Sequence, residues 1–547
     1  MDYKDLANAI FPDVKDISYY EEKYPRRNLK EGAVVTRFAP SPTGFVHIGG
    51  LYQSVIAKKQ ANQTGGVFFL RIEDTDQKRE VENGVIGIID ALKEFNILPD
   101  EGMIDEENCI GDYGPYKQSL RKEIYQSYAK NLIEKGLAYP CFCTGEELEE
   151  MRKKQEAAKL RTGYYGVWAK CRQIPVNEAV ERIQNGEEYI LRFKSPGNPE
   201  KKIKHHDQIK GNVDFPENDQ DIVIIKSDGL PTYHFAHAVD DHLMGTTHVI
   251  RGDEWLSSVP LHLQLFQCLG FKAPKYAHIA PIMKEENGVK RKLSKRKDPE
   301  AAVSYYGELG IPSDAVDEYL LNIANSNFEG WRRQNPDAKM EEFDLQLNKM
   351  SVSGALFDIV KLLDISKRVI SKYTSKKVYE EAYMWAEKYD SDLKRLLEKD
   401  KEYTLKILGI ERGNVKPRKD IAKWSDLKEN IIYMYDEEYS PKYEFQKIND
   451  TEEIKNIITA YIEKYYNSED DKETWFNRIK DLSEEFGYAR ETKEFKQNPE
   501  NYKGHVGDIS TVIRICLTGR ANTPDMYEIM KVLGEKSVIK RLKSAVE

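Results

Sequence analysis

Before residue 301, segments with the apolar pattern of a strand alternate with segments that have the apolar spacing of a helix. The β-branched run "VVTRFA" begins at Val34, "IGGLYQSVIAKKQANQT" has the apolar spacing of a helix, and "GGVFFLRIED" is apolar enough for a buried strand. Two strands joined by a helix form a βαβ unit, which predicts a parallel sheet. Similar elements return after residue 218, where "DIVIIKSDG", "THVIRGDEW" and "YAHIAPIM" are predicted strands and "SSVPLHLQLFQCLG" is a predicted helix.

The other segments break this pattern. Between residues 113 and 217, helical stretches alternate with irregular Gly, Tyr and Pro runs, which indicates an inserted domain. After residue 301 helices dominate, and "NTPDMYEIMKVLGEK" predicts a helix with Thr523 as N-cap, Pro524 first and Gly534 as its stop. We therefore predict an α/β fold, in which a Rossmann-type parallel-sheet domain is split by an insertion and followed by an all-helical C-terminal region. The predicted divisions are 1–33, 34–112, 113–217, 218–300, 301–375 and 376–547.

Composition narrows the class of protein. The chain has 547 residues, of which 40% are hydrophobic and 32% charged, and this balance is typical of a globular protein with a large core. No apolar run approaches the roughly 20 residues of a membrane span, and no secretory or transit signal precedes residue 33. Six cysteines do not form a disulfide framework, so we expect a reducing, cytoplasmic location. The net charge of −9 excludes a uniformly basic surface but not a local basic face.

The turn in "VVTRFAPSPTGFVHIGG" is a candidate anion site. Pro40 and Pro42 stiffen the backbone after the strand, and His47 stands where the helix begins and can donate to a phosphate oxygen. Glycine permits a ligand to approach the backbone closely, and the turn holds Gly44, Gly49 and Gly50. Taken alone, this pattern is more often a tight strand–helix connection with a packed histidine.

A basic run lies far along the chain from that turn. In "GVKRKLSKRKD", six of the eight residues from Lys290 to Lys297 are Lys or Arg. Alone, such a run is usually a solvated loop. Together with the histidine turn it indicates a triphosphate site, because mobile cations can meet the charge that grows on phosphates in the transition state.

The two features together resemble the signature motifs of class I aminoacyl-tRNA synthetases. "APSPTGFVHIGG" resembles their HIGH motif and "KLSKR" their KMSKS loop. The ordered set "TRFAPSPTG", "RIEDTD", "GPYKQS", "PTYHFAHAVDDHLMG", "HVIRGDEW" and "KLSKRK" resembles bacterial-type glutamyl-tRNA synthetases. The C-terminal "LTGRANTPDMYEIMKVLGEKSVIKRL" is similar to the same family, so the resemblance runs from Val34 to the end of the chain.

This resemblance implies a two-step ligase reaction. Glutamate would attack the α-phosphate of ATP to give glutamyl-adenylate and pyrophosphate, and the glutamyl group would then pass to the 3′-terminal ribose of tRNA-Glu. Whether tRNA-Gln is also charged with glutamate stays open at this point. The implied partners are ATP with Mg²⁺, L-glutamate and tRNA. No membrane partner is implied, and the implied oligomeric state is a monomer. Residues 34–112 and 218–300 would form the catalytic domain, 113–217 would bind the tRNA acceptor end, 301–375 would contact the stem, and 376–547 would bind the anticodon.

The resemblance also assigns residues to the two small substrates. The expected glutamate-binding residues are Arg37, Ala39, Ser41, Glu73, Tyr233, His237 and Arg251, where the arginines suit carboxylates and Glu73 suits the ammonium group. The expected ATP-binding residues are Thr43, Gly44, His47, Gly49, Gly50, Glu254, Lys292, Leu293, Ser294, Lys295 and Arg296. Of these, His47, Lys292 and Lys295 are the expected catalytic residues. Gly50 stands where the motif has its second histidine, and Arg296 where KMSKS ends in serine.

Three cysteines raise the question of zinc. Some family members carry structural zinc at C-x-C…C-x-H, and here Cys141, Cys143 and Cys171 match its three cysteines. Gln173 occupies the histidine position and is a poor zinc ligand, and Tyr164 or Tyr165 is a weak substitute. The sequence therefore favours three free thiols over a bound zinc ion.

Three alternatives stay open at this point. Glutaminyl-tRNA synthetases typically carry a β-barrel anticodon region, whereas this tail is predicted to be helical. A shorter relative that glutamylates a modified tRNA base lacks the helical tail. An inactive tRNA-binding paralogue is disfavoured because the chain retains the motif residues.

Overall fold

The computed structural model describes residues 1–294 and 296–547, so the predicted catalytic Lys295 lies outside the described residues. The chain forms two compact units. Met1–Tyr305 and Asp317–Asp358 make the first unit, and Tyr306–Val316 and Ile359–Glu547 make the second. Both units therefore contain residues from the predicted segment 301–375, and the predicted domain boundaries stay predictions. Within the described ranges, no helix is both long and apolar enough to span a bilayer.

Helices and strands alternate through the first part of the chain. In order they are α1 (Tyr3–Ile10), α2 (Ile17–Lys23), β1 (Val35–Phe38), α3 (Ile48–Thr64), β2 (Val67–Leu70), α4 (Gly84–Glu94), β3 (Glu101–Met103), β4 (Cys109–Ile110), α5 (Lys122–Glu134), β5 (Ala138–Cys141), α6 (Gly145–Ala157), α7 (Val176–Gln184), β6 (Ile190–Phe193), β7 (Lys202–Asp207), β8 (Gly211–Pro216), β9 (Val223–Ile225), α8 (Tyr233–Leu243), β10 (His248–Gly252), α9 (Val259–Leu269), β11 (Lys275–Ile279), β12 (Ile282–Glu286) and β13 (Val289–Lys292).

Helices prevail in the remainder. They are α10 (Ser304–Leu309), α11 (Ser313–Ala324), α12 (Phe328–Gln334), then the short strand β14 (Ala355–Leu356), α13 (Ile359–Ser371), α14 (Ser375–Tyr389), α15 (Ser391–Lys399), α16 (Lys401–Gly409), α17 (Leu427–Ile431), α18 (Thr451–Ala460), α19 (Lys472–Glu485), α20 (Thr492–Gln497), α21 (Val506–Thr518), α22 (Met526–Leu533) and α23 (Glu535–Ser544).

Strand β1 has neighbouring strands on both sides, and these come from different parts of the chain. Strand β2 pairs in parallel with β1 on one side and with β3 on the other. On the opposite side of β1, the N–H of Thr247, which precedes β10, donates to the Val35 carbonyl at 3.0 Å, and β10 pairs in parallel with β11. The chain therefore leaves β1 on one side and returns on the other, and in open parallel sheets ligands bind in the crevice at such a point.

The predicted fold class is confirmed, and two local predictions are wrong. "YAHIAPIM" was predicted as one strand but forms β11 and the start of β12, which are separated at Ala280 and Pro281. The helix in "NTPDMYEIMKVLGEK" begins at Met526 rather than at Pro524. Its N-cap is Asp525, whose carboxylate accepts from the Glu528 N–H at 3.0 Å, so Thr523 is not the cap. Asp and Thr are both favourable N-cap residues, and in this helix Asp525, which follows Pro524, is the residue that caps.

Residues 1–33, the N-terminal extension, pack against the rest of the first unit in several places. Helices α1 and α2 contact α5, and α1 also contacts α7. Arg27 forms a bidentate ion pair with Glu101 at 2.6 and 2.8 Å, and its Nε donates to the Met244 carbonyl at 2.7 Å. The guanidinium lies 4.0 Å from the Tyr113 ring centroid, and the ring of Tyr24 stacks on that same tyrosine. The extension is therefore an integral part of this unit.

Candidate functional site

The ends of β1 and β10 bring two buried arginines to the crevice of the sheet. Arg37 lies on β1 and Arg251 on β10, and they are only 2% and 3% exposed. Such side chains need compensating partners, because an unpaired buried charge is costly. The partners of the two arginines differ in kind.

Arg251 is surrounded by neutral acceptors. Its Nε donates to Nε2 of His278 at 3.0 Å, and one Nη approaches Nδ1 of His262 at 3.2 Å. That same Nη donates to the Tyr233 hydroxyl at 3.4 Å, and the other Nη donates to the Trp255 carbonyl at 3.2 Å. Burial holds the pKa of His262 well below its usual range, so this ring is a neutral acceptor. Throughout residues 1–294 and 296–547, no carboxylate is ion-paired with Arg251, and its charge can therefore bind a substrate carboxylate.

Arg37 belongs instead to a network of buried charges. Its Nε lies 3.3 Å from the carboxylate of Asp241, which also accepts from Arg71 at 2.7 Å. Arg71 also forms an ion pair with Glu73 at 3.0 Å, and its side chain is fully buried. Burial raises the pKa of Glu73 although both arginines oppose the shift. Sequence reasoning missed Arg71 and Asp241, although the motifs "RIEDTD" and "AVDDH" contain them.

The other residues that were predicted to bind glutamate differ in how deeply they are buried. Ala39 is half-buried and Ser41 is exposed in the turn after β1, whereas Tyr233 stands at the start of α8 with its ring centroid 4.2 Å from that of Trp255. His237 is fully buried, with Nδ1 2.8 Å from Asp241 and Nε2 3.0 Å from the Tyr276 hydroxyl. Burial lowers the pKa of His237 to about 3, so it is neutral at physiological pH.

A cavity of about 320 Å³ opens beside this crevice. Five of the predicted ATP-binding residues line it, namely His47, Gly49, Gly50, Glu254 and Lys292. Its remaining wall, which sequence reasoning missed, is formed by Tyr52, Gln53, Gly252 and the run Ile279, Ala280, Pro281 and Ile282. A lining that combines apolar residues with glycines, a histidine and a lysine suits a nucleotide, which has a flat base at one end and phosphates at the other.

His47 is the N-cap of α3. Its Nδ1 accepts from the Gly49 N–H at 2.9 Å, and the Gly50 N–H binds the His47 carbonyl at 2.8 Å. The turn before this helix was predicted as an anion site, but the N–H groups of Gly49 and Gly50 are occupied by His47 itself. Because Nδ1 accepts a hydrogen bond, a neutral ring carries its proton on Nε2, and that nitrogen can donate to phosphate.

The basic loop is anchored by an acidic residue. Arg291 forms a bidentate pair with Asp298 at 2.7 and 2.8 Å, and the Ser294 N–H donates to the same carboxylate at 2.8 Å. Leu293 is 2% exposed and so packs inward, whereas Arg296 is exposed. Among the predicted ATP-binding residues that the structure describes, those that do not line the cavity are Thr43, Gly44, Leu293, Ser294 and Arg296.

The three predicted cysteine ligands converge around a tyrosine. Their sulfur atoms all lie within 4.8 Å of one another, and Cys143 and Cys171 are 3.6 Å apart. The Tyr164 hydroxyl lies 3.4 Å from Cys141 and 3.3 Å from Cys143. Tyr165 turns away and donates to the Arg161 carbonyl. Three sulfurs and one hydroxyl oxygen therefore lie close together, which matches the four ligands of structural zinc in number, and the hydroxyl also accepts from the Cys171 N–H at 3.0 Å.

The second unit contains a separate cavity of about 800 Å³. Its lining includes Lys472, Trp475, Phe476 and Arg514. The Nε of Arg514 is buried and has no hydrogen-bond partner among the described residues, and burial lowers the pKa of this guanidinium. Aromatic rings beside an under-satisfied cation are suited to an unstacked nucleotide, which offers a base to stack and a phosphate to pair.

Comparisons with known proteins give a consistent result. Residues 33–383 match the family model described as "tRNA synthetases class I (E and Q), catalytic domain", and residues 393–546 match an anticodon binding domain. A glutamate–tRNA ligase of Clostridium perfringens strain SM101 is 55% identical over 99% of both chains. One from Clostridium beijerinckii is 52% identical over 99% of both.

A solved structure agrees in fold. A glutamate–tRNA ligase from Elizabethkingia meningosepticum, crystallised in complex with its amino acid, superposes with a TM-score of 0.73 at 27% identity. The match covers 94% of this chain and 99% of that one.

Proposed function

The chain belongs to the glutamate–tRNA ligase family of class I tRNA synthetases, and on that premise we propose how its residues carry out the ligation. It activates L-glutamate with ATP and transfers the glutamyl group to tRNA-Glu. One observation carries this proposal. Arg251, whose charge is held by neutral acceptors, is followed directly by Gly252, which lines the nucleotide cavity. A glutamate carboxylate and the α-phosphate of ATP can therefore meet at the end of β10.

In the first step, one oxygen of the glutamate α-carboxylate attacks the α-phosphorus of ATP, and pyrophosphate leaves. Arg251 and Arg37 hold the carboxylates, and Glu73 receives the ammonium group. His47 donates from Nε2 to the phosphates, while Lys292 and Lys295 offset the charge that develops on them. Mg²⁺ that accompanies ATP supplies further neutralisation of the phosphates. In the second step, a ribose hydroxyl of the tRNA attacks the activated carbonyl, and AMP leaves.

The alternatives have less support. The relatives that match along 99% of the chain are glutamate–tRNA ligases, and the second unit is helical rather than a β-barrel. That helical unit also argues against the shorter base-modifying relative. The chain retains the motif residues, and those that meet around Arg251 and His47 argue against an inactive paralogue. The monomeric state and the cytoplasmic location stay predictions.

We expect the purified protein to charge tRNA-Glu with glutamate and to catalyse glutamate-dependent ATP–pyrophosphate exchange in the presence of that tRNA. Parallel reactions with tRNA-Gln and with glutamine measure the breadth of specificity. Failure of exchange with glutamate, ATP, Mg²⁺ and cognate tRNA would contradict the proposal. Charging of tRNA-Gln with glutamine in preference would instead favour the glutaminyl alternative.

The cavity around Arg514 is our proposed site for anticodon nucleotides, and the same assay tests it. Arg514→Ala should raise KM for tRNA about 10- to 100-fold and leave KM for glutamate unchanged, because a charged hydrogen bond to RNA is lost while the proposed glutamate-binding residues are unaltered. Arg395→Ala is a matched control, since that side chain in the same unit is 76% exposed. Equal KM for tRNA in both variants would exclude this location.

We further propose that the Cys141, Cys143, Cys171 and Tyr164 cluster holds a structural zinc ion. Protein purified without chelators should contain about one zinc per chain by elemental analysis. Cys143→Ser should lose most of the metal, and Tyr164→Phe should bind it more weakly. Cys109→Ser is the control, because Cys109 is an exposed thiol outside the cluster. Wild-type protein without zinc, or equal zinc in Cys143→Ser, would establish free thiols instead.

A further inference from the structure

A buried aspartate and a histidine lie directly behind Arg251. The Nε of Arg251 donates to Nε2 of His278 at 3.0 Å, and Nδ1 of the same ring lies 2.6 Å from Oδ2 of Asp207. Asp207 and His278 are both fully buried. The three side chains form a continuous chain of hydrogen bonds that begins outside the glutamate crevice and ends in it.

The directions of these hydrogen bonds define one tautomer of His278. Since Arg251 can only donate, Nε2 of His278 must accept and cannot carry a proton. The ring proton is therefore on Nδ1, where it is donated to Asp207. Burial lowers the pKa of His278, which agrees with a neutral ring. The carboxylate thus selects the only neutral form of the ring that can accept from the guanidinium.

Asp207 also belongs to a different part of the chain from its partners. It ends β7, within the predicted insertion 113–217, and its Oδ1 accepts from the N–H groups of Ile209 and Lys210 at 2.9 and 2.8 Å. The neighbouring Gln208 N–H donates to the carbonyl of Tyr276 on β11 at 2.8 Å. The turn of the β7–β8 hairpin is therefore fixed to the sheet at the point where His278 contacts Arg251.

We propose that Asp207 and His278 are positioning residues for glutamate, which orient Arg251 from behind and tie that orientation to the β7–β8 hairpin. This inference rests on the proposed binding of glutamate by Arg251. Neither residue touches the substrate. Asp207 acts through the tautomer of His278, and His278 acts through the orientation of the guanidinium.

The proposal predicts that Asp207→Asn breaks the hydrogen bond between His278 and Arg251. The backbone N–H groups of Ile209 and Lys210 require an oxygen at the Oδ1 position, so the amide nitrogen of the introduced side chain would face His278. That nitrogen donates, and the ring must then accept at Nδ1 and carry its proton on Nε2. Two donors would face each other between His278 and Arg251, and the guanidinium would be displaced.

The test is a kinetic cycle of Asp207→Asn, His278→Gln and the double variant, with full-length protein and cognate tRNA. We expect Asp207→Asn to raise KM for glutamate about 10-fold or more, with KM for ATP within about twofold of the wild-type value. In the His278→Gln background the same change should add less than about twofold, because Asp207 has no ring left to act through. His206→Gln is the matched control, since His206 precedes Asp207 on β7 and is exposed.

Thermal unfolding of each variant separates positioning from loss of structure. A folded Asp207→Asn protein with unchanged KM for glutamate would overturn the proposal, and so would parallel rises for glutamate and ATP or additive effects in the double variant. If Asp207→Asn does not fold, His278→Gln is judged by the same glutamate and ATP criteria. Failure of the wild-type protein to activate glutamate would overturn the proposed function instead.

Discussion

Replacing Arg251 with alanine is expected to lower kcat/KM for glutamate about 30- to 5,000-fold, which corresponds to about 2–5 kcal/mol. The reason is the absence of an ion-paired carboxylate around this guanidinium in the described parts of the chain. Its acceptors are imidazoles, a carbonyl and a hydroxyl, so the substrate would supply the compensating charge. Steady-state aminoacylation with varied glutamate and saturating ATP and tRNA measures the effect.

Two further variants sharpen this prediction. Arg251→Lys keeps the charge but not the planar fork, and it should recover only part of the activity because bidentate binding is lost. Arg333→Ala is the matched control, since this arginine of the first unit has a side chain 74% exposed. Wild-type glutamate kinetics in Arg251→Ala would remove the residue from the glutamate site and with it the observation that carries the proposed function.

Replacing Arg71 with methionine is expected to destabilise the first unit by about 3–5 kcal/mol. This fully buried guanidinium lies 2.7 Å from Asp241, 3.8 Å from Asp240 and 3.0 Å from Glu73. Methionine fills similar space but leaves three buried carboxylates with less compensating charge. Because the chain has two units, one free energy of unfolding is not well defined for it, and the measurement should follow the first unit alone.

Limited proteolysis mapped to residues 1–305, combined with a thermal scan, provides that measurement. The midpoint should fall by at least about 5 °C, and cleavage within the first unit should accelerate. Arg79→Met is the control, because its side chain is 75% exposed and pairs only with the nearby Asp76 among the residues described. A thermal midpoint equal to that of the wild type would mean that the carboxylates are compensated by Arg37 and Arg121 without Arg71.

Elements with local signals were predictable from sequence. Strand β1, the proline and glycine turn, and helix α3 follow directly from residue order, and the left-handed Gly65 ends α3 as a glycine stop should. The basic loop was equally visible as a run of charge. Such signals depend on neighbours within a few residues, so one sequence is enough to identify them.

The environment of Arg251 was not predictable in the same way. Its partners His262 and His278 come from α9 and β11, and Asp207 comes from a hairpin 71 residues before His278. A buried histidine has no local pattern that separates a hydrogen-bond acceptor from an ordinary core residue. For the cysteine cluster the sequence named both Tyr164 and Tyr165, and only folding selects Tyr164 by bringing it to cysteines 23 and 21 residues earlier in the chain.

The N-terminal extension has a consequence for how the limits of this protein are defined. The matched catalytic model begins at residue 33, after α2 and after Arg27. A chain shortened to that limit would still contain both matched family models, yet it would leave Glu101 without its arginine and uncover the face of α5. The catalytic family model therefore begins later in the chain than the unit that packs around it, which starts at Met1.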